Sequence, residues 1–307
     1  MSCTKRPGGI AVRRRWIVFF VWVLLVLPVV NVGASGEFEP IFSVEDPRGD
    51  SFGPGDYSYP QHQSFPQELP QMLDLTAFNV FNLGDEAVRF EFHFAQRPDL
   101  HQPWGGAGFN FHRLDLYIVK DGEGRTTTFR PGAQVEFSQP WQLNLRLRDW
   151  RGAFLIDAQH DPDDSQAGIW QDQVQGFDVF VEGNAIVVEI SQTLIGAAAP
   201  QWKYYVLVGL QDPYGPDQYR EINQLPGPWT GGGGCDSEFN PNLYDILVKS
   251  EGAQKDQLAW DVGHYAVLDP VGPESTSARV WGIIKIIGVV LMAAGLASLV
   301  WILLRKN

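Results

Sequence analysis

Eight residues, Ala87-Val88-Arg89-Phe90-Glu91-Phe92-His93-Phe94, alternate without a fault, and they limit the fold more than any other feature of the chain. Val88, Phe90, Phe92 and Phe94 share one face, the period-two mark of a strand with one side buried. Residues 114–119 alternate in the same way before Asp121-Gly122-Glu123-Gly124, whose glycines predict a hairpin connection into 126–129. Further strands are expected at 73–81, 143–148, 153–156, 177–181, 185–190 and 204–211, with a second hairpin at Glu182-Gly183-Asn184. Only Ser191-Gln192-Thr193-Leu194-Ile195-Gly196 suggests a helical turn, capped by Ser191 and stopped by Gly196. About ten short strands with turn signals between them predict an all-β, antiparallel β-sandwich or jelly roll.

Two apolar segments bracket this region. Residues 1–34 read as a signal peptide: Lys5, Arg6, Arg13, Arg14 and Arg15 precede an apolar stretch, and Val32-Gly33-Ala34 supplies small residues for cleavage. Residues 286–304 carry no charge, and Arg305 and Lys306 follow at once. The expectation is a transmembrane helix over 280–304, a cytoplasmic tail over 305–307 and a cell-membrane protein whose bulk is extracellular. The β-domain is assigned to 35–250 and a stalk to 251–279. Loss of the five basic leader residues takes the net charge of -13 to about -18, so no nucleic-acid partner is expected. Cys235 alone would remain, which rules out an internal disulfide.

The stretch from Asp46 to Pro60, Asp-Pro-Arg-Gly-Asp-Ser-Phe-Gly-Pro-Gly-Asp-Tyr-Ser-Tyr-Pro, holds three glycines, three prolines and three aspartates. It must turn repeatedly, and its turns gather carboxylates. Asp46, Asp50 and Asp56, with Asp212 from the similarly lettered Asp212-Pro213-Tyr214-Gly215-Pro216-Asp217, are candidate ligands for a structural calcium ion. Simple Asx-turns explain the same residues without metal. A second cluster, Asp157, His160, Asp161, Asp163 and Asp164, reads as a solvated loop.

Eleven tryptophans exceed what a sandwich core needs. Trp104, Trp141, Trp150 and Trp170 fall in or beside Gly-, Pro- or Asp-rich segments, as does Trp229. An indole there can lie against the C–H face of a sugar ring while nearby polar groups take its hydroxyls; the same residues could equally plug the ends of the sandwich.

A set of motifs recurs in fixed order: the opening aspartate-rich stretch, Pro103-Trp104, Gly108-Phe109-Asn110-Phe111-His112, Pro131-Gly132, the 191–196 turn and Trp202-Lys203-Tyr204. Asp212-Pro213-Tyr214-Gly215, the glycines of 231–234 and Pro241-Asn242-Leu243-Tyr244-Asp245 complete it. Over residues 38–250 the chain resembles the C-terminal domain of glucodextranases and related amylopullulanases, a DOMON-like β-sandwich. The resemblance implies a non-catalytic module that binds carbohydrate or attaches to the cell surface. No Gly-x-Ser-x-Gly, His-Glu-x-x-His or phosphate-binding loop stands against that reading. The expected function is a membrane-anchored module for an α-glucan or envelope glycan, with a glycoside hydrolase or transporter as partner. A structural envelope protein that docks onto another protein, S-layer fashion and without a sugar site, is the other reading.

Overall fold

Strands that alternate on one face can form only two layers, but a strand apolar on both faces needs a third. In the computed structural model, residues 38–101, 106–150, 152–164, 167–235 and 237–273 are described. The strands run β1 (Phe42–Glu45), β2 (Leu75–Leu83), β3 (Ala87–Phe94), β4 (His112–Val119), β5 (Arg125–Thr127), β6 (Val135–Trp141) and β7 (Leu143–Arg148). They continue as β8 (Phe154–Asp157), β9 (Ile169–Trp170), β10 (Phe177–Glu182), β11 (Ala185–Ser191), β12 (Lys203–Leu210), β13 (Asp245–Ile246) and β14 (Ala266–Leu268). Short helices α1 (Leu69–Leu73), α2 (Gln192–Ile195) and α3 (Ala253–Gln257) interrupt them.

One sheet has the order β1-β2-β3-β11-β10, a second β13-β12-β4-β7-β8-β9, and a small third β14-β6-β5. The first core joins Phe78, Phe90, Phe92, Ile186 and Val188 of the first sheet to Leu114, Leu116, Leu145, Tyr204 and Val206 of the second. This is a β-sandwich, and β3 supplies the face its alternation promised. Tyr117, Tyr205 and Leu207 point the other way, into a second core with Phe137, Trp141, Phe154 and Leu268. The middle sheet is therefore covered on both faces, and every residue of β4 is buried.

The hairpin over 182–184 forms, with Phe177–Glu182 antiparallel to Ala185–Ser191. Ser191 caps α2 by accepting the Thr193 N–H, and Gly196 ends it at φ 79°. The connection at 121–124 is not a hairpin. β4 pairs with β12 and β7, whereas β5 pairs with β6 in the third sheet. The glycines there let the chain cross between layers; Gly124 lies where a Cβ would meet the Trp141 carbonyl oxygen at 2.3 Å.

The stalk expected from 251 onward is also corrected. Gln254, Leu258, Ala266, Leu268 and Val271 are buried, and β14 runs parallel to β6. A five-residue helix and a three-residue strand are too short to display a period, so the segment only looked unstructured. The expected signal peptide (1–34) and transmembrane helix (280–304) lie outside the described residues. Among the described residues no helix is long and apolar enough to cross a membrane.

Candidate functional site

The end of β7 turns sharply at Asp149-Trp150. Gly152 takes φ 79°, and its N–H bonds the Arg148 carbonyl at 2.8 Å, which leaves Trp150 half-buried at the tip. Across from it, β9 delivers Trp170, whose backbone pairs with Phe154. The Phe154 ring packs on that indole at 4.8 Å, and the Arg148 guanidinium lies 5.2 Å from it. Trp150 and Trp170 thus wall one cleft of about 650 Å³, together with Ala107, Gln171, Val174 and Phe177. Three features fix its rim: the buried Asp149 carboxylate accepts the Gly108 N–H at 3.2 Å, Gln171 Oε1 accepts the Ala153 N–H at 3.1 Å, and Ser191 N–H bonds the Gly176 carbonyl.

Asp172, Gln175 and Asp178 are exposed on the lining, and no lysine or arginine is among the described lining residues. The composition is aromatic flank, carboxylate and amide. Such a cleft can stack on an uncharged ring and accept hydrogen bonds from hydroxyls.

The four expected platform tryptophans separate. Trp150 and Trp170 come together. Trp104 lies outside the described residues. Trp141 is wholly buried, its ring 5.1 Å from that of Tyr117 and its Nε1–H bonded to the Thr127 carbonyl at 2.8 Å, so it serves packing and not binding. Its neighbours Gln139 and Pro140 resemble a loop, but β6 runs through them and ends on the indole. Trp229 is 50% exposed on another loop, stacked on His62 at 4.1 Å.

The carboxylates also rearrange. Asp46, at 5% exposure just past β1, and Asp50 are joined by Asp245 of β13, with no exposure. One oxygen from each lies within 4.8 Å of the others. Asp46 Oδ1 accepts the Val248 N–H at 2.6 Å, and Asp245 accepts the N–H groups of Leu75 and Ile246. Burial, opposed by the Val248 N–H and reinforced by Asp50 and Asp74, pushes Asp46 up to about 9. Burial and then Asp74 lift Asp50 to about 6, while burial with the Asp46 and Asp50 charges drives Asp245 well above the carboxylate range.

Asp56 is exposed and takes no part. Asp212 belongs to a separate turn, where it accepts the Tyr214 N–H and pairs with Arg220 at 3.0 Å. Both are removed from the candidate ligand set; similar lettering did not mean a shared place in space. Asp245 was not among the expected ligands, although it closes the last motif of the ordered set. In the second acidic cluster His160 sits 3.1 Å from Asp157, and Asp161, Asp163 and Asp164 are exposed, as a solvated loop would have them.

A family model described as the C-terminal binding-module, SLH-like, of glucodextranase matches residues 41–270. No curated protein matches the chain.

Proposed function

The chain belongs to the family of SLH-like C-terminal binding modules of glucodextranase, and from that premise we propose that it binds a neutral glycan, an α-glucan or envelope polysaccharide, in the Trp150–Trp170 cleft. The observation that carries this reading is the convergence of two half-buried indoles on one cleft lined by Asp172, Gln175 and Asp178 without a basic residue among the described ones. Binding then rests on stacking plus hydroxyl recognition, and no residue is assigned a catalytic step. The basic-then-apolar pattern of residues 1–34 and the uncharged 286–304 segment support the further reading that the module is held outside the cell by a single C-terminal span. Protease added to intact cells should remove the module; protection would overturn that placement.

Affinity electrophoresis of the full chain through gels cast with α-glucans or envelope polysaccharide tests the cleft. Trp150→Ala should abolish retention and leave Tm within a few degrees, because the side chain is only half-buried. Unchanged retention in both Trp150→Ala and Trp170→Ala would sink the proposal. The envelope-docking reading draws on the family's SLH-like character and on Leu225 and Trp229, 77% and 50% exposed on one loop. It predicts that Trp229→Ala, and not Trp150→Ala, releases the protein from isolated envelopes.

A further inference from the structure

Beyond the cleft, the two ends of the module meet at a group of carboxyls that has no basic ion-pair partner among the described residues. We propose that Asp46, Asp50 and Asp245 hold one calcium ion, which locks the N-terminal loop to the C-terminal strand β13.

Geometry carries the proposal. Three oxygens within 4.8 Å of one another match the span across a calcium ion, whose ligands stand at about 2.3–2.6 Å. Asp46 Oδ2 and both oxygens of Asp50 are shut off from solvent, and none of them has a hydrogen-bond partner on another residue among those described; Asp46 itself is 95% buried. Buried acceptors without partners are costly, so oxygens left bare inside a protein point to a missing partner. That partner must be positive: no arginine, lysine or histidine forms an ion pair with Asp46, Asp50, Asp74 or Asp245 among the described residues.

The cage is also held rigid from outside. Gln254, 1% exposed, donates to the carbonyls of Asp50, Gly53 and Tyr244 and accepts the Ile246 N–H at 2.9 Å. Asp74 fixes the connecting turn by accepting the Gly49 N–H on both oxygens. An all-oxygen set of carboxylates selects a hard cation. Magnesium keeps several of its waters, and a buried trio suits it less well than calcium. The raised proton affinity of all three groups has the same physical origin, burial of like charges, and agrees with the geometry.

The test uses the purified full chain in detergent after EDTA treatment. Equilibrium dialysis should find one calcium per chain, and a hundredfold excess over Kd should raise Tm by about 5–10 °C. Asp50→Asn should weaken binding at least a hundredfold and remove most of the calcium-dependent Tm shift. Asp245→Asn should do the same; if that variant fails to fold, Asp50→Asn and Asp46→Asn decide. Asp163→Asn, on the exposed loop, should bind as the unaltered chain does. No calcium bound at millimolar concentration, or full affinity retained in both Asp50→Asn and Asp46→Asn, would overturn the assignment.

Discussion

Two groups of buried carboxylates in this molecule meet the same electrostatic problem in different ways. Asp115 of β4 is 1% exposed, but Arg113 Nη1 reaches it at 2.6 Å, the Tyr219 hydroxyl at 2.7 Å and Arg146 Nε at 3.4 Å. Asp217 bonds Arg146 and approaches Arg113 at 3.6 Å. To reach down there, Asp217 and Gln218 adopt φ of 47° and 66°, a left-handed backbone that costs about 1–3 kcal/mol per residue. Burial pushes Asp115 up, yet the two guanidiniums outweigh it and hold the carboxyl below its usual range. At Asp46, Asp50 and Asp245 the same burial meets no arginine ion pair among the described residues, and proton affinity rises. Burial alone does not decide the ionisation of an aspartate; the partners do.

The comparison breaks first at Asp115. Asp115→Ala leaves two buried guanidiniums with Asp217 as their one remaining carboxylate and should cost about 3–5 kcal/mol in urea unfolding, with or without calcium. A cost below about 1 kcal/mol would mean that the network is not a self-contained solution. The second group should respond in the opposite way to its surroundings. With calcium at a hundredfold excess, Asp50→Asn should forfeit about 2.7 kcal/mol; in EDTA it should be neutral or stabilising, since it removes a like charge.

His112 sharpens the contrast from a third side, because it is buried with no charged partner among the described residues. Its Nε2 lies 2.7 Å from the Met72 carbonyl and its Nδ1 against that of Asn110. Burial pulls it down to about 4, so between about pH 6.5 and 4 the unfolded chain binds the extra proton. Stability should fall as the solution is acidified through that window, with a slope approaching about 1.4 kcal/mol per pH unit. His112→Gln should flatten this limb of the unfolding profile. The smallest effect is expected at Arg89, which bridges Glu91, Glu182 and Glu189 on a part-exposed face. Arg89→Gln should cost no more than about 1 kcal/mol and fade in salt.

The elements legible in the sequence were those long enough to show a period: β3, β7, β10 and β11 stand where alternation put them. β4 was legible as a strand but not as a strand covered on both sides. Asp115 interrupts Leu114 and Leu116 as a solvent-facing residue would, and only the arginines two positions away and on β7 reveal that it is buried. β1, β13 and β14, at two to four residues, carry no pattern of their own and exist because neighbours complete them. Of the site, Trp150 and Trp170 were legible as loop indoles. Their meeting was not, since pairing of β8 with β9 brings them together. Asp245 escaped because the contact between the opening loop and β13 is set by the closed fold and not by local spacing.

That closure also sets an order of events. The Asp46 carboxylate holds the Val248 N–H, the Tyr57 hydroxyl donates to the Pro241 carbonyl, and Gln254 grips the Asp50 carbonyl, contacts separated by 202, 184 and 204 residues. During synthesis β1 can pair with β2 early, but the loop that follows β1 has to wait for nearly the last strand before it is secured. Such non-local pairings slow folding, because a long loop must close before any contact rewards it. A nascent chain halted before residue 245 would carry the loop from Asp46 to Tyr57 untied, and the module should become resistant to proteases only when its final segment has emerged.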